Sequence, residues 1–178
     1  MPFEINDTNI PKVKFVSIKK FNDDRGFFEE LYRNKIFNKS GISDKFNQIN
    51  LSFSKRNVFR GFHFQLNPEP QGKLVTVVSG RIIDYAVDLR KNSKSYKKNV
   101  HYELTNGRML FIPEGFAHGF LALEDSYVLY LATHEFNSSL DSGVRYDDKE
   151  LNIKLPENII VSDKDKNLKS LSDLNLDF

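Results

Sequence analysis

Strict alternation is clearest over Arg81–Leu89, where Ile83, Tyr85, Val87 and Leu89 share one face of an extended segment. Asp84 and Asp88 share the opposite face with Ile82 and Ala86. A turn signal, Ser79-Gly80, separates this segment from LVTVV and predicts a tight hairpin. Asn106-Gly107, between HYEL and RMLFIP, predicts a second hairpin with both central residues at positive φ. Further strands are predicted at Lys14–Ile18, Gly26–Leu31, Phe46–Phe53, Gly119–Leu123 and Tyr127–Thr133. One helix is predicted early, in YRNKIFNKS, stopped by Gly41 at its C′ position. The tail from Glu157 reads as polar, in short turns or helix. Many short strands with Gly-marked turns and few helices indicate an all-β sandwich or barrel.

Composition narrows the picture. At 178 residues, without internal repeat or low-complexity linker, the chain is expected to form one domain over 1–178. A net charge of +2 provides no basic field for a nucleic-acid partner. The chain has no cysteine, which excludes disulfides, thiolate nucleophiles and Cys-based metal centres. No apolar stretch approaches the ~20 residues that span a bilayer. The start, MPFEINDTNIPKVKF, mixes acids and Pro where a signal peptide needs an apolar core. A cytoplasmic protein without membrane partner is the expectation.

Four histidines are available. His63 lies in RNVFRGFHFQ near Arg60, Gln65 and Lys73, and His118 lies in IPEGFAHGF between Gly115 and Gly119. Titratable groups among Phe and Val on inward-facing strands point to a pocket at a barrel mouth. His101 and His134 lack such surroundings and read as surface or strand-edge residues. PxGxxH at Pro113–His118 resembles the second motif of the cupin superfamily, whose jelly rolls often hold a metal. A transition metal wants three or four N or O ligands, and His63 and His118 with Gln65 and Glu69 make a poor set. The barrel is expected to hold no metal.

A closer resemblance runs through DDRGFFEE, FNQINLSFSKRNVFRGFHFQ, QGKLV, VDLRKNS, IPEGFAHGF and VLYLAT, in order and spacing, from about Asp24 to Asp165. These strings resemble the dTDP-4-dehydrorhamnose 3,5-epimerase family, cofactor-free jelly-roll enzymes acting on nucleotide-linked 4-keto-6-deoxy sugars. The resemblance implies a cupin-type jelly-roll barrel with a few short helices, no cofactor, and a homodimer with sheet exchange. It implies that His63 is the general base, Asp165 its carboxylate partner, Tyr130 the general acid on the opposite face of the sugar, and Lys73 the cation at the 4-keto oxygen. It further implies pocket roles for Arg60, His118, Gln48 and Asn50, a binding role for Lys164, and substrate contacts from Arg25 and Glu30 on a strand given to the dimer. Phe136 stands where the family has a Tyr stacking on the nucleotide base, and a phenyl face still stacks. NSSLDSGVRYDD lacks the family's Pro and Trp, Asp141 matches a binding Glu only loosely, and Leu155 stands where a Trp is usual.

The chemistry accounts for these residue types. A 4-keto group acidifies the hydrogens on C3 and C5, so inversion needs a base, an acid on the other face and a cation for the enolate. Apart from the resemblance, Tyr130 reads as a core aromatic, Asp165 as part of a solvated charge run, Lys73 and Arg60 as surface cations, and Arg25 with Glu30 as an exposed ion pair. A C3-only epimerase, an epimerase of another nucleotide-linked 4-keto sugar, and a metal-binding cupin are the competing functional readings.

Overall fold

β-Branched and aromatic runs broken by Gly and Asx turns favour short extended segments, and strands dominate the computed structural model, which describes residues 1–43 and 45–178. In chain order they are β1 (Phe3–Asp7), β2 (Lys14–Ile18), β3 (Phe21–Asp23), β4 (Gly26–Phe28), the helix α1 (Asn34–Lys39), β5 (Gln48–Ser54), β6 (Val58–Gln65) and β7 (Lys73–Ser79). There follow β8 (Arg81–Asp88), β9 (Asn99–Thr105), β10 (Arg108–Ile112), β11 (Phe116–Ala122), β12 (Ser126–Ala132), β13 (Asp141–Gly143), β14 (Ile160–Val161) and the helix α2 (Asp163–Lys166).

One sheet runs β1-β2-β10-β7-β12-β5 and the other β13-β6-β11-β8-β9, with β14 added parallel to β6. The ribbon β3–β4 stands apart from both. Inner faces of the two sheets meet in one apolar cluster, with Val75, Val77, Leu110 and Val128 from the first and Ile82, Ala86, Leu104 and Phe120 from the second. This is the cupin-type jelly roll expected, with two short helices.

Alternation over Arg81–Leu89 is as read. Ile82 and Ala86 point into the barrel, while Tyr85, Val87 and Leu89 pack outward under Val144, Leu151, Val161 and Leu171. Both faces are covered, so both are apolar. The tail is short turns and helix as expected, but its polar reading is corrected: Val161, Leu171 and Leu176 are buried against the second sheet. On the other side, α1 covers the first sheet through Phe37, packed with Val16, Leu74 and Met109.

The two hairpins are not formed. β7 and β8 lie in different sheets, as do β9 and β10. Ser79-Gly80 is instead a corner at which the chain changes sheet: Gly80 has φ +92°, and a Cβ there would sit 2.3 Å from the Asp125 carbonyl oxygen. At Asn106-Gly107 only the glycine has positive φ, at +87°, so the type I′ turn is absent too. Strand Gly26–Leu31 shortens to Gly26–Phe28, because Glu29 to Arg33 leave the ribbon on the way to α1.

Candidate functional site

A cavity of about 530 Å³ opens at one end of the barrel, between β6 and β11 on one side and β7 and β12 on the other. His63 and His118 face each other across the β6–β11 ladder. Close approach of these two strands depends on glycine: a Cβ on Gly61, φ +128°, would lie 2.6 Å from the Cα of Gly119.

His63 Nε2 lies 3.0 Å from Oδ1 of Asp165. The carboxylate arrives from the tail, on the first turn of α2, whose Ser162 accepts the Asp165 N–H at 3.1 Å as N-cap. Its Oδ2 accepts the Gly61 N–H at 3.1 Å. Burial works to raise the Asp165 pKa, but the His63 hydrogen bond and charge, the Gly61 N–H and Ser162 together hold it below the usual carboxylate value. An ionised Asp165 accepts a hydrogen bond from Nε2–H of the imidazole, which fixes the tautomer and leaves Nδ1 as the basic nitrogen.

Lys73 begins β7 and is buried. Burial lowers its pKa to about 8, against the opposing charges of Asp141 and Asp84. Its Nζ lies 6.0 Å from the centre of the Tyr130 ring on β12. Burial raises the Tyr130 pKa, with Arg60 acting against the rise and Asp141 adding to it, so the phenol keeps its proton well above neutrality. Arg60 is tied to β5, its Nε donating to Ser54 Oγ at 2.9 Å and its Nη2 to the Phe53 carbonyl at 3.0 Å.

The rim is polar. Lys164 on α2 meets Asp141 on β13 at 2.6 Å. Phe136 presents a half-exposed ring. Gln48 and Asn50 do not line the cavity; Gln48 accepts the Phe136 N–H at 2.6 Å and donates to Asn50 Oδ1 at 2.8 Å, a chain that fixes the backbone carrying that ring.

The structure thus brings His63, Asp165, Tyr130, Lys73, Arg60, His118, Phe136 and Lys164 to one cavity. Arg25 and Glu30 are not brought there. Arg25 pairs with Asp23 at 2.6 Å beside the β3–β4 turn, and Glu30 pairs with Arg33 at 2.5 Å, so they do not pair with each other. His101 is exposed and His134 sits at the margin, its Nδ1 2.8 Å from the Pro70 carbonyl oxygen. Among the described residues no three His, Asp or Glu side chains converge in a metal-binding group.

Two participants went unassigned in the sequence. Asp141 lines the cavity. Asp84 is fully buried, 2.7 Å from His118 Nε2; burial raises its pKa, opposed by His118 and Lys73. The sequence shows only that Asp84 shares a face with Ile82 and Ala86; that this face is the inward one is a finding of the structure.

Residues 7–173 match the dTDP-4-dehydrorhamnose 3,5-epimerase family. The enzyme of that name from Methanothermobacter thermautotrophicus is 42% identical over 176 residues, 95% of each chain. The crystal structure of the Sulfolobus tokodaii dTDP-4-dehydrorhamnose 3,5-epimerase superposes with a TM-score of 0.92 at 42% identity, covering 99% of both chains. That of the Legionella pneumophila 3,5-epimerase in complex with dTDP-4-keto-L-rhamnose gives 0.92 at 36% identity, covering 97% of this chain and 95% of that one.

Proposed function

From the premise that the chain belongs to the dTDP-4-dehydrorhamnose 3,5-epimerase family, we propose that the cavity between β6 and β12 is its active site and that His63 and Tyr130 exchange protons with the sugar from opposite sides. The reaction is epimerisation at C3 and C5 of a nucleotide-linked 4-keto-6-deoxy sugar, taking dTDP-4-dehydro-6-deoxy-D-glucose to dTDP-4-dehydro-L-rhamnose.

In this reading His63 removes the proton next to the ketone, and the C–H electron pair moves onto the 4-keto oxygen. Asp165 holds the imidazole and stabilises its protonated form. Lys73 faces the enolate oxygen as charge develops, assistance worth about 3–4 kcal/mol for one such donor. Tyr130 returns a proton to carbon on the other face and regains one from solvent, while His63 releases the proton it took to solvent. Arg60, His118 and Lys164 hold the substrate, and Phe136 stacks on the base. Neither oxidation nor hydrolysis occurs, so the proposal includes no cofactor and no metal.

The observation that carries this assignment is the His63–Asp165 pair sharing one cavity with Tyr130 and a buried Lys73. The deciding experiment is incubation with dTDP-4-keto-6-deoxyglucose in D₂O, with deuterium located by NMR. Label at C3 and C5 of an inverted product is expected; label at C3 alone would make the enzyme a single-centre epimerase.

The reading extends to a homodimer and a single catalytic domain over 1–178. β5 is an edge strand whose Ile49, Leu51 and Phe53 are exposed beside Tyr127, and the β3–β4 ribbon exposes Phe21, Phe27 and Phe28. An apolar patch on an edge strand is a pairing surface. Exchange of these segments would carry Arg25 and Glu30 toward the other subunit's cavity. No described helix is long and apolar enough to cross a membrane. Cytoplasmic operation, without nucleic acid or membrane partner, belongs to the same proposal.

A further inference from the structure

Asp84 sits on the inner face of β8 between Ile82 and Ala86, fully buried in the apolar interior of the barrel. A carboxylate there is costly unless it serves a neighbouring charge. Its Oδ1 lies 2.7 Å from His118 Nε2, while Oδ2 is buried and meets no donor among the described residues. Packing alone would be met by an aliphatic side chain, as at Ile82 and Ala86.

We propose that Asp84, which does not line the cavity, is a positioning residue for the epimerisation, fixing the His118 ring and placing one negative charge in the wall near Lys73. This rests on the assignment of Lys73 to the enolate side. The charged and titratable groups around the pair come from several strands. Asp84 meets His118 of β11 at 2.7 Å and interacts electrostatically with Lys73 of β7, a strand of the opposite sheet. Lys73 also faces Tyr130 from β12 and Asp141 from β13, while Arg60 and His63 from β6 share the cavity. Burial alone drives an ammonium toward its neutral form; Asp84 and Asp141 oppose it. Without Asp84, Lys73 gives up its proton closer to neutrality and the enolate loses its cation. The same carboxylate accepts a hydrogen bond from Nε2–H of His118, leaving Nδ1 as the acceptor.

The test uses Asp84→Asn, which keeps the shape and removes the charge, and Asp84→Glu, which keeps the charge. In ¹³C-lysine-labelled protein without ligand, the Lys73 signal is identified by its loss in Lys73→Arg. The Lys73 midpoint is expected to fall by about one pH unit in Asp84→Asn. The alkaline limb of kcat against pH should fall with it, and Asp84→Glu should keep that limb near the wild-type position. A Lys73 midpoint unmoved in Asp84→Asn overturns the proposal, and so does a limb that stays while the midpoint moves. If Asp84→Asn does not fold, the wild-type carboxyl decides by ¹³C NMR. Asp84 must be ionised at pH 7 and must titrate higher in Lys73→Gln; a protonated Asp84 overturns the proposal. Absence of deuterium uptake by the wild-type enzyme would instead refute the reaction assigned to the cavity, and the ligand-free titration would still judge the Asp84–Lys73 pair.

Discussion

At the scale of single residues, the base and the acid separate by isotope. His63→Ala should abolish solvent deuterium uptake at both C3 and C5, because no enolate forms. Tyr130→Phe leaves His63 and Lys73 in place, so deuterium should still enter, while inversion at C5 falls by roughly 10²–10⁴-fold, the range for a positioned acid. Wild-type inversion in Tyr130→Phe would return this side chain to a packing role. Phe136→Ala should raise KM with a smaller change in kcat, since stacking worth ~0.5–1.5 kcal/mol acts alike on ground and transition states. An unchanged KM would show that the base is held elsewhere. A transition metal wants three or four converging ligands, and among the described residues no group of three His, Asp or Glu forms around His63 and His118. Activity should therefore survive exhaustive dialysis against a chelator; loss reversed by zinc, iron or manganese would reject the metal-free mechanism. His63 and His118 were legible as cavity residues from their Gly-bracketed strings, whereas Lys73 and Tyr130 were assigned to the cavity only through the family resemblance. Asp84 was not legible, because its partner His118 is 34 positions away and alternation alone cannot say which face of a doubly buried strand meets a histidine.

At the scale of elements, strand positions were readable to within a few residues, and strand partners were not. Gly80 and Gly107 mark chain reversals as read, yet each reversal hands the chain to the opposite sheet. Local turn chemistry specifies a change of direction, whereas pairing depends on which distant strand offers a complementary apolar face. β7 therefore lies between β10 and β12, not beside β8. Edge strand β5 carries the element-level prediction. Leu51, 62% exposed on its outer face, should lie within the dimer contact. Leu51→Lys should convert a dimer to a monomer by sedimentation and lower activity, if Arg25 and Glu30 act across that contact. A wild-type monomer, or a Leu51→Lys dimer, would remove the proposed exchange.

For the whole molecule, acid sensitivity follows from how the tail is joined to the barrel. The folded pKa of Asp165 lies below its unfolded value near 3.8, so its stabilising contribution is present above that value. It is lost as pH falls through the depressed folded pKa. Urea unfolding between pH 5 and pH 2.5 should show wild-type stability dropping more steeply than that of Asp165→Asn. Equal slopes would mean that the carboxylate contributes no such linkage.

The same tail attachment has a consequence in biosynthesis. Asp165 is translated after every strand of both sheets, since β14 is the last of them and directly precedes α2. A nascent chain can thus assemble walls bearing His63, Lys73 and Tyr130 while its imidazole still lacks a carboxylate. Val161, Leu171 and Leu176, the apolar residues that seat the tail, double as the latch for that carboxylate. Ribosomes finish the strands before they reach this carboxylate, so a message truncated after the codon for Val161 encodes both sheets and leaves His63 without its partner.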